Sequence, residues 1–310
     1  MKRQTSWVYY LSQYSIKICK FLTLFYLNQI KRIYNAAMTS IEFIKMHGLG
    51  NDFVIFDLRA QNMKLSSQVV KEIARRRTGV GCDQLISIEV SKNINKDAKI
   101  RIWNADGGEV EACGNAMRCV GYLLLKEGKK TEIVLETPAG DIKVTGNNAD
   151  RVSVDMGVPR THWSEIPLAE EYDTLCIDIS EGELKNPVGV SMGNPHVVFF
   201  VNDVDSIDLD KLGPKIEFHP LFPSRVNVGI SEVLGNNQIR LRVWERGVGI
   251  TNACGTAACA AVVAGVRRKV VLRNTTVNLD GGSLEIEWRS SDNRVIMTGP
   301  VSSSFRGSLI

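Results

Sequence analysis

The chain has 310 residues, 44% of them hydrophobic and 23% charged, with a net charge of +4. Those proportions fit a folded protein of up to two domains and exclude a disordered chain, a collagen and a membrane bundle. The charge excess sits in residues 1–41, where Lys2, Arg3, Lys17, Lys20, Lys31 and Arg32 meet no acid, so the remaining 32 basic and 34 acidic side chains lack the basic footprint of a nucleic-acid binder.

Residues 1–37 are basic, acid-free and rich in aromatics, with an apolar run at 18–26 that Lys20 interrupts and that is too short to span a bilayer. They read as upstream sequence before a start at Met38, as an amphipathic targeting or membrane-surface segment, or as a poor signal peptide. Alternation at 41–46 predicts the first strand of the body, for which no membrane contact is expected. Branched and aromatic content predicts further strands at 54–56, 133–135, 197–201, 239–243 and 284–288. A helix is predicted over 66–77, with Ser66 as its N-cap and Val69, Val70, Ile73 and Ala74 on one face. Two more are predicted over 116–126 and 257–267. With no low-complexity linker, the domain boundary is expected at the loop 158–163. This divides the body into 38–158 and 159–300, with a final strand at 301–310 as a candidate to join the first domain.

Seven cysteines are too few for a disulfide scaffold, and the odd count leaves a thiol unpaired, which favours a reducing compartment, the cytoplasm. No pair reads C-x-x-C, and His47, His162, His196 and His219 stand apart, so no metal site is expected.

The chain repeats itself at an offset near 142. RIWNADGGEVEACGNA (101–116) lies on RVWERGVGITNACGTA (242–257) without a gap, and GNDFVIF (50–56) lies on GNPHVVF (193–199). GDIKV at 140 resembles GSLEI at 282, and Arg151-Val152 recurs as Arg294-Val295. A register held across four motifs implies two copies of one α+β domain. Cys113 and Cys254 occupy the same point in each copy, at a helix start reached from a glycine-containing loop. Unpaired amides and the helix dipole there are expected to lower a thiol pKa from about 8.5 toward neutrality and to form a site for a carboxylate. Two such thiols facing one ligand would suit inversion of a stereocentre, one as base and one as acid. The alternatives are that both are structural or that they form a disulfide. Cys119 and Cys259, deeper in the helices, read as buried fillers, and Cys19, Cys82 and Cys176 take the same default.

HGLGNDFVIFD (47–57), TGVGCDQ (78–84), NADGGEVEACGNAMRC (104–119), GNPHVVFFV (193–201), HPLFPSRVNV (219–228) and WERGVGITNACGTAACAA (244–261) together resemble the diaminopimelate epimerase family over about residues 41–300. The resemblance implies a cofactor-independent epimerase that interconverts LL- and meso-diaminopimelate in lysine and cell-wall precursor synthesis. It also implies two similar domains, each a mixed β-structure around a central helix, with the ligand in the cleft between them. Cys113 and Cys254 match the catalytic pair. Gly114, Asn115, Gly255 and Thr256 would hold the reacting carboxylate, and Asn51, Gln84, Asn104, Asn194, Asn227, Glu245 and Arg246 would line the rest of the substrate. Arg246 suits a distal carboxylate and Glu245 a distal ammonium. His196 and Glu245 match neighbours that adjust thiol protonation. A homodimer acting on a small molecule is the expected assembly. This chain departs from the family in having Ala116 and Ala257 where glycine is usual, and activity is expected to survive the two added methyl groups.

Other readings stand beside this one. Asn51 and Asn194, each after glycine, also suit plain turns; Glu245 and Arg246 also suit a surface ion pair; His47 reads as structural, and Asp52 and Asp83 as loop ties. Rival functions are a proline or hydroxyproline racemase of the same fold, a thiol-disulfide redox protein and a pure ligand-binding module.

Overall fold

Branched and aromatic residues set the strands where the sequence pattern places them, and the strands run longer than the pattern marks. The computed structural model describes residues 40–61, 64–111 and 113–309, so the three readings of residues 1–37, and Cys19, lie outside the described residues. Phe43–Arg306 pack as one unit, and the described residues 40–42 and 307–309 group apart from it.

The first half runs β1 (Ile41–Gly48), β2 (Asn51–Asp57), α1 (Ser67–Ala74), β3 (Gln84–Glu89), β4 (Ala98–Asn104), β5 (Glu109–Val110), α2 (Gly114–Gly128), β6 (Glu132–Thr137), β7 (Gly140–Gly146) and β8 (Val152–Asp155). The second begins with a hairpin of β9 (Ser180–Glu181) and β10 (Leu184–Lys185), then β11 (Val188–Ser191), β12 (Pro195–Val201), α3 (Leu209–Glu217), β13 (Asn227–Gly235), β14 (Gln238–Glu245) and β15 (Gly249–Thr251). It continues with α4 (Gly255–Arg267), β16 (Asn274–Leu279), β17 (Gly282–Trp288), β18 (Val295–Gly299) and β19 (Ser302–Leu309).

The internal repeat reappears as identical strand pairing. β2 and β3 are parallel with Phe53 opposite Gln84, and β12 and β13 are parallel with His196 opposite Asn227. β4 and β6 are parallel with Ala98 opposite Leu135, as β14 and β16 are with Ile239 opposite Val277. The antiparallel pair β8 and β18, with Val154 opposite Met297, carries the sheet from one half into the other. The fold is thus α+β, with two similar halves from an internal duplication. Each half wraps its strands around one helix, α2 or α4, and the two helices also meet each other. Both helices are buried over most of their length: Ala116, Met117, Cys119 and Val120 on α2, and Ala258, Cys259, Ala260 and Ala261 on α4, are all 0% exposed. A second apolar cluster, including Ile216, Leu221, Phe222 and Val228, lies beneath α3.

Two expectations need correction. The first helix has Ser66 as its N-cap, its hydroxyl accepting from the Val69 amide, but ends at Ala74 rather than at residue 77. Arg75 turns extended, Arg76 is drawn to Asp52 and Asp83, and Gly79 comes so close to the helix end that a Cβ there would stand 2.2 Å from the Glu72 carbonyl oxygen. Cys176 is exposed rather than buried, because it lies in the loop after Asp173. Cys82, Cys119 and Cys259 are buried as expected.

Candidate functional site

Strand ends assemble the site. β2 starts at Asn51, β3 starts at Gln84 and β4 ends at Asn104, and the register that sets Gln84 opposite Asn104 puts these amides on one rim of the sheet. Asn51 donates through Nδ2 to Asp83 Oδ2 at 3.0 Å, which leaves Oδ1 to accept from Asn115 Nδ2 at 3.3 Å and to face Cys113 Sγ at 3.9 Å. Asp83 and Asp52 tie the loops: Asp83 accepts from the Asp52 amide, Asp52 accepts from the Asp83 amide, and Arg76 bridges the two carboxylates. Gln84 Nε2 donates to Asn104 Oδ1 at 2.9 Å. His47 Nδ1 accepts from the Gly50 amide, consistent with its structural reading.

The second half repeats the layout with different chemistry. Asn194 precedes β12, Asn227 begins β13 and Glu245 ends β14. His196 Nε2 meets Asn194 Oδ1 at 3.0 Å; a carbonyl oxygen only accepts, so Nε2 carries the proton. Asn194 Nδ2 then donates to Thr256 Oγ1 at 3.3 Å, and Thr256 Oγ1 lies 3.5 Å from Cys254 Sγ. Asn227 donates to the Pro195 carbonyl and accepts from the Arg246 amide, both at 2.9 Å. Glu245 accepts from the Thr251 hydroxyl at 2.5 Å rather than pairing with its neighbour, and the Arg246 side chain donates to the Ser224 carbonyl.

Cys113 and Cys254 are the N-caps of α2 and α4, both with extended backbone. The following glycines allow a tight approach. A Cβ on Gly114 would stand 2.7 Å from Met297 Cε, and one on Gly255 would stand 2.8 Å from Met297 Sδ, so one methionine separates the two helix starts. Asn115 crosses between the halves, its Nδ2 donating to the Ala253 carbonyl at 3.3 Å.

The expectation of acidic thiols is overturned. Burial pushes the Cys113 thiol up to about 11 from the ordinary 9.0, outweighing the amides of Ala116 and Asn115 that favour the thiolate. Cys254 rises well above the ordinary value, first through burial and then through the charge of Glu245. The helix dipole acts with the predicted sign but is the smaller effect, since a desolvated thiolate costs more than the first-turn amides return. Burial also raises the Glu245 carboxyl and holds His196 neutral, its pKa lowered to about 3.

Cys113, Asn51 and Asn115 are therefore assembled on one side, and Cys254, Thr256, Asn194 and Glu245 on the other. Among the described residues, His196 reaches Cys254 through Asn194 and Thr256. Gln84 with Asn104, and Asn227 with Arg246, make no hydrogen bond to either sulfur among the described residues. Sequence reasoning missed Glu217. It is 2% exposed, accepts from Trp244 Nε1 at 2.7 Å and from the Gly247 amide at 2.9 Å, and so clamps the turn carrying Glu245 and Arg246. A signal was present, since Leu209, Gly213, Ile216 and Glu217 follow i, i+4, i+7, i+8 spacing and put a charge on the apolar face of α3.

Among the described residues no group of three or more His, Cys, Asp or Glu is placed to hold a metal, and no helix is long and apolar enough to cross a membrane. A family model described as diaminopimelate epimerase matches residues 43–162 and 188–303. The diaminopimelate epimerase of Phenylobacterium zucineum is 52% identical over 271 residues, covering 86% of this chain and 97% of the relative, and that of Erythrobacter litoralis is 49% identical over 268 residues, covering 86% and 96%. Among solved structures, a hydroxyproline epimerase from Agrobacterium vitis superposes with a TM-score of 0.64 at 15% identity, covering 88% of this chain and 93% of that one. A phenazine biosynthesis protein of the PhzF family from Bacillus anthracis gives 0.64 at 14%, covering 88% and 100%. The two structural likenesses speak for the fold, and the sequence matches for the family. This chain, an isomerase, belongs to the diaminopimelate epimerase family.

Proposed function

We propose that the protein interconverts LL- and meso-diaminopimelate without a bound cofactor, using Cys113 and Cys254 as base and acid on opposite faces of the α-carbon. The observation that carries this reading is the equivalence of the two cysteines: each N-caps the central helix of its own half, and Asn115 ties the two helix starts together. The thiolate on one face takes the α-proton, the electron pair of the C–H bond moves into the carboxylate, and the opposite thiol gives its proton to carbon. The sulfurs end with their protonation states exchanged. A buried thiolate is a stronger base than one in water, which suits an α-proton far less acidic than any thiol.

The first-turn amides at Gly114–Asn115 and Gly255–Thr256 would receive the α-carboxylate, where negative charge develops during the reaction. Asn51, Gln84, Asn104, Asn194 and Asn227 would hold the remaining polar groups. Arg246 has an exposed side chain without a carboxylate partner among the described residues, which suits a distal carboxylate, and Glu245 suits a distal ammonium. His196 would act on thiol protonation by orienting Asn194 and, through it, Thr256. A reducing cytoplasm would keep both sulfurs free. Incubation of the purified protein with LL-diaminopimelate, without added cofactor, is expected to yield the meso isomer on chiral chromatography. A folded protein that leaves diaminopimelate unchanged but inverts hydroxyproline would replace this reading with the racemase one.

The same reading gives Glu217 a measurable part. Glu217→Ala leaves the half-buried Trp244 donor without its acceptor, at roughly 1–3 kcal/mol, and releases the amide of the exposed Gly247. The Glu245–Gly247 turn should loosen, raising KM for diaminopimelate by about tenfold and lowering the urea midpoint. Unchanged KM together with an unchanged midpoint would dismiss the clamp.

A further inference from the structure

Among the described residues, Arg118 is the buried charged side chain of α2 and α4, and the reaction as described leaves it unused. It is 0% exposed. Among the described residues no carboxylate lies in ion-pair reach of it, whereas the other buried cation, Lys45, pairs with Asp52 at 2.6 Å. Its Nη1 donates to Asn115 Oδ1 at 2.9 Å and contacts Met297 Sδ at 3.4 Å, and Nε and Nη2 have no partner among the described residues. The surrounding backbone is shaped to admit it, since a Cβ on Gly48 would stand 2.9 Å from Nη2 and one on Gly299 would stand 3.4 Å from Nε. In the repeat, the position equivalent to Arg118 is Cys259, so the molecule carries this guanidinium once, between the two cysteine-bearing helices.

A buried, carboxylate-free cation is costly, and proteins keep such groups where the charge is used. Two uses converge here. The bond from Nη1 to Asn115 Oδ1 fixes the Asn115 amide, so that Nδ2 must point at Asn51 Oδ1 and at the Ala253 carbonyl. That single orientation links the residue beside one sulfur to the residue preceding the other. The charge itself lies among thiols. Cys119, Cys113 and Cys259 are the groups whose ionisation it feels, and at Cys113 it joins the larger effects of the Ala116 and Asn115 amides in favouring the thiolate against burial and the nearby Glu245 charge. Burial works against the guanidinium in turn, pushing its pKa down from the ordinary value.

Building on the epimerase reading, we propose that Arg118 is a positioning residue for the inversion, one that locks Asn115 across the two helix starts and adds a favourable field for the thiolate at Cys113. It touches neither the substrate nor the reacting carbon, and acts through Asn115 and through its field.

The test compares full-length wild type with Arg118→Met, which removes the charge while keeping an unbranched stem, and Arg118→Lys, which keeps the charge. Three readouts are needed: the thermal midpoint, kcat and KM for diaminopimelate, and the iodoacetamide modification rate of Cys113 over about pH 7 to 9, followed by mass spectrometry of the Cys113 peptide. Arg118→Met should fold with an unchanged or raised midpoint, because an apolar side chain replaces a charge buried without a carboxylate. Its kcat should fall by about tenfold or more with KM within roughly threefold, and Cys113 should react about tenfold more slowly at each pH. Arg118→Lys should recover most of the Cys113 reactivity. Arg118→Met with wild-type kcat and wild-type Cys113 reactivity overturns the proposal. So does failure of Arg118→Met to fold, which would make Arg118 a folding residue. The alkylation rates need no substrate, so they decide the role of the charge even if wild type proves inert toward diaminopimelate.

Discussion

Replacing either Cys113 or Cys254 by Ala is expected to reduce inversion of diaminopimelate by at least the roughly 10²–10⁴-fold attached to one general acid-base group. Each variant strips one face of the α-carbon of its proton carrier and leaves the other face served. Exchange of the α-hydrogen with solvent deuterium should therefore survive in each variant for the one isomer that presents its hydrogen to the remaining sulfur. Because the two cysteines cap equivalent helices of a duplicated fold, the variants should exchange opposite isomers. Wild type should place solvent deuterium in the inverted product from the first turnovers, since the incoming proton comes from the sulfur opposite the one that receives the substrate proton. Proton magnetic resonance in deuterated water, combined with chiral separation, reads all three outcomes. Near-wild-type inversion by either variant, or exchange of the same isomer by both, removes the paired assignment.

The cysteines were legible because duplication writes the same ACG motif twice, and the strands that coincide with it were legible for the same reason. What escaped depended on contacts between distant segments. The run 66–77 is made of good helix formers, and nothing local reveals that Asp52 and Asp83 pull Arg76 out of it. Helix α3 is hidden by Gly213 and Pro214, which suit a turn as readily as a helix, and it forms because Leu209 and Ile216 find a core beneath them. The sign of the thiol shift failed on the same ground. A helix start is visible in a sequence, whereas the burial that overrides it belongs to the assembled fold. Arg118 and Glu217 look like ordinary charges on helices until the structure shows one buried without a carboxylate and the other buried with two donors on its oxygens.

The protein is expected to lose stability steeply as pH rises above the ordinary thiol value of 9.0. Cys82, Cys119, Cys254 and Cys259 are exposed by 2%, 0%, 6% and 0%, Cys113 is partly buried, and burial is the first cause of a raised pKa in all five. Cys82 and Cys113 reach about 11, Cys119 and Cys259 about 12, and Cys254 also stands well above the ordinary value. Below 9.0 these thiols are protonated in both folded and unfolded chains, and their contribution does not change with pH. Above it the unfolded chain releases protons that the folded chain still holds, so the unfolded state binds fewer protons and stability falls with rising pH until the folded thiols ionise in turn. Each thiol contributes a slope of up to about 1.4 kcal/mol per pH unit, and the five together up to about 7, enough to consume an ordinary domain's stability between about pH 9 and 11. Urea midpoints measured across that range should drop accordingly. The double variant Cys119→Ala, Cys259→Ala, which leaves Cys82, Cys113 and Cys254 in place, should be less stable at pH 7, yet its stability should decline with about three-fifths of the slope. Stability that stays flat through this range, or a double variant with an unaltered slope, would show that these thiols do not control the alkaline limit of the fold.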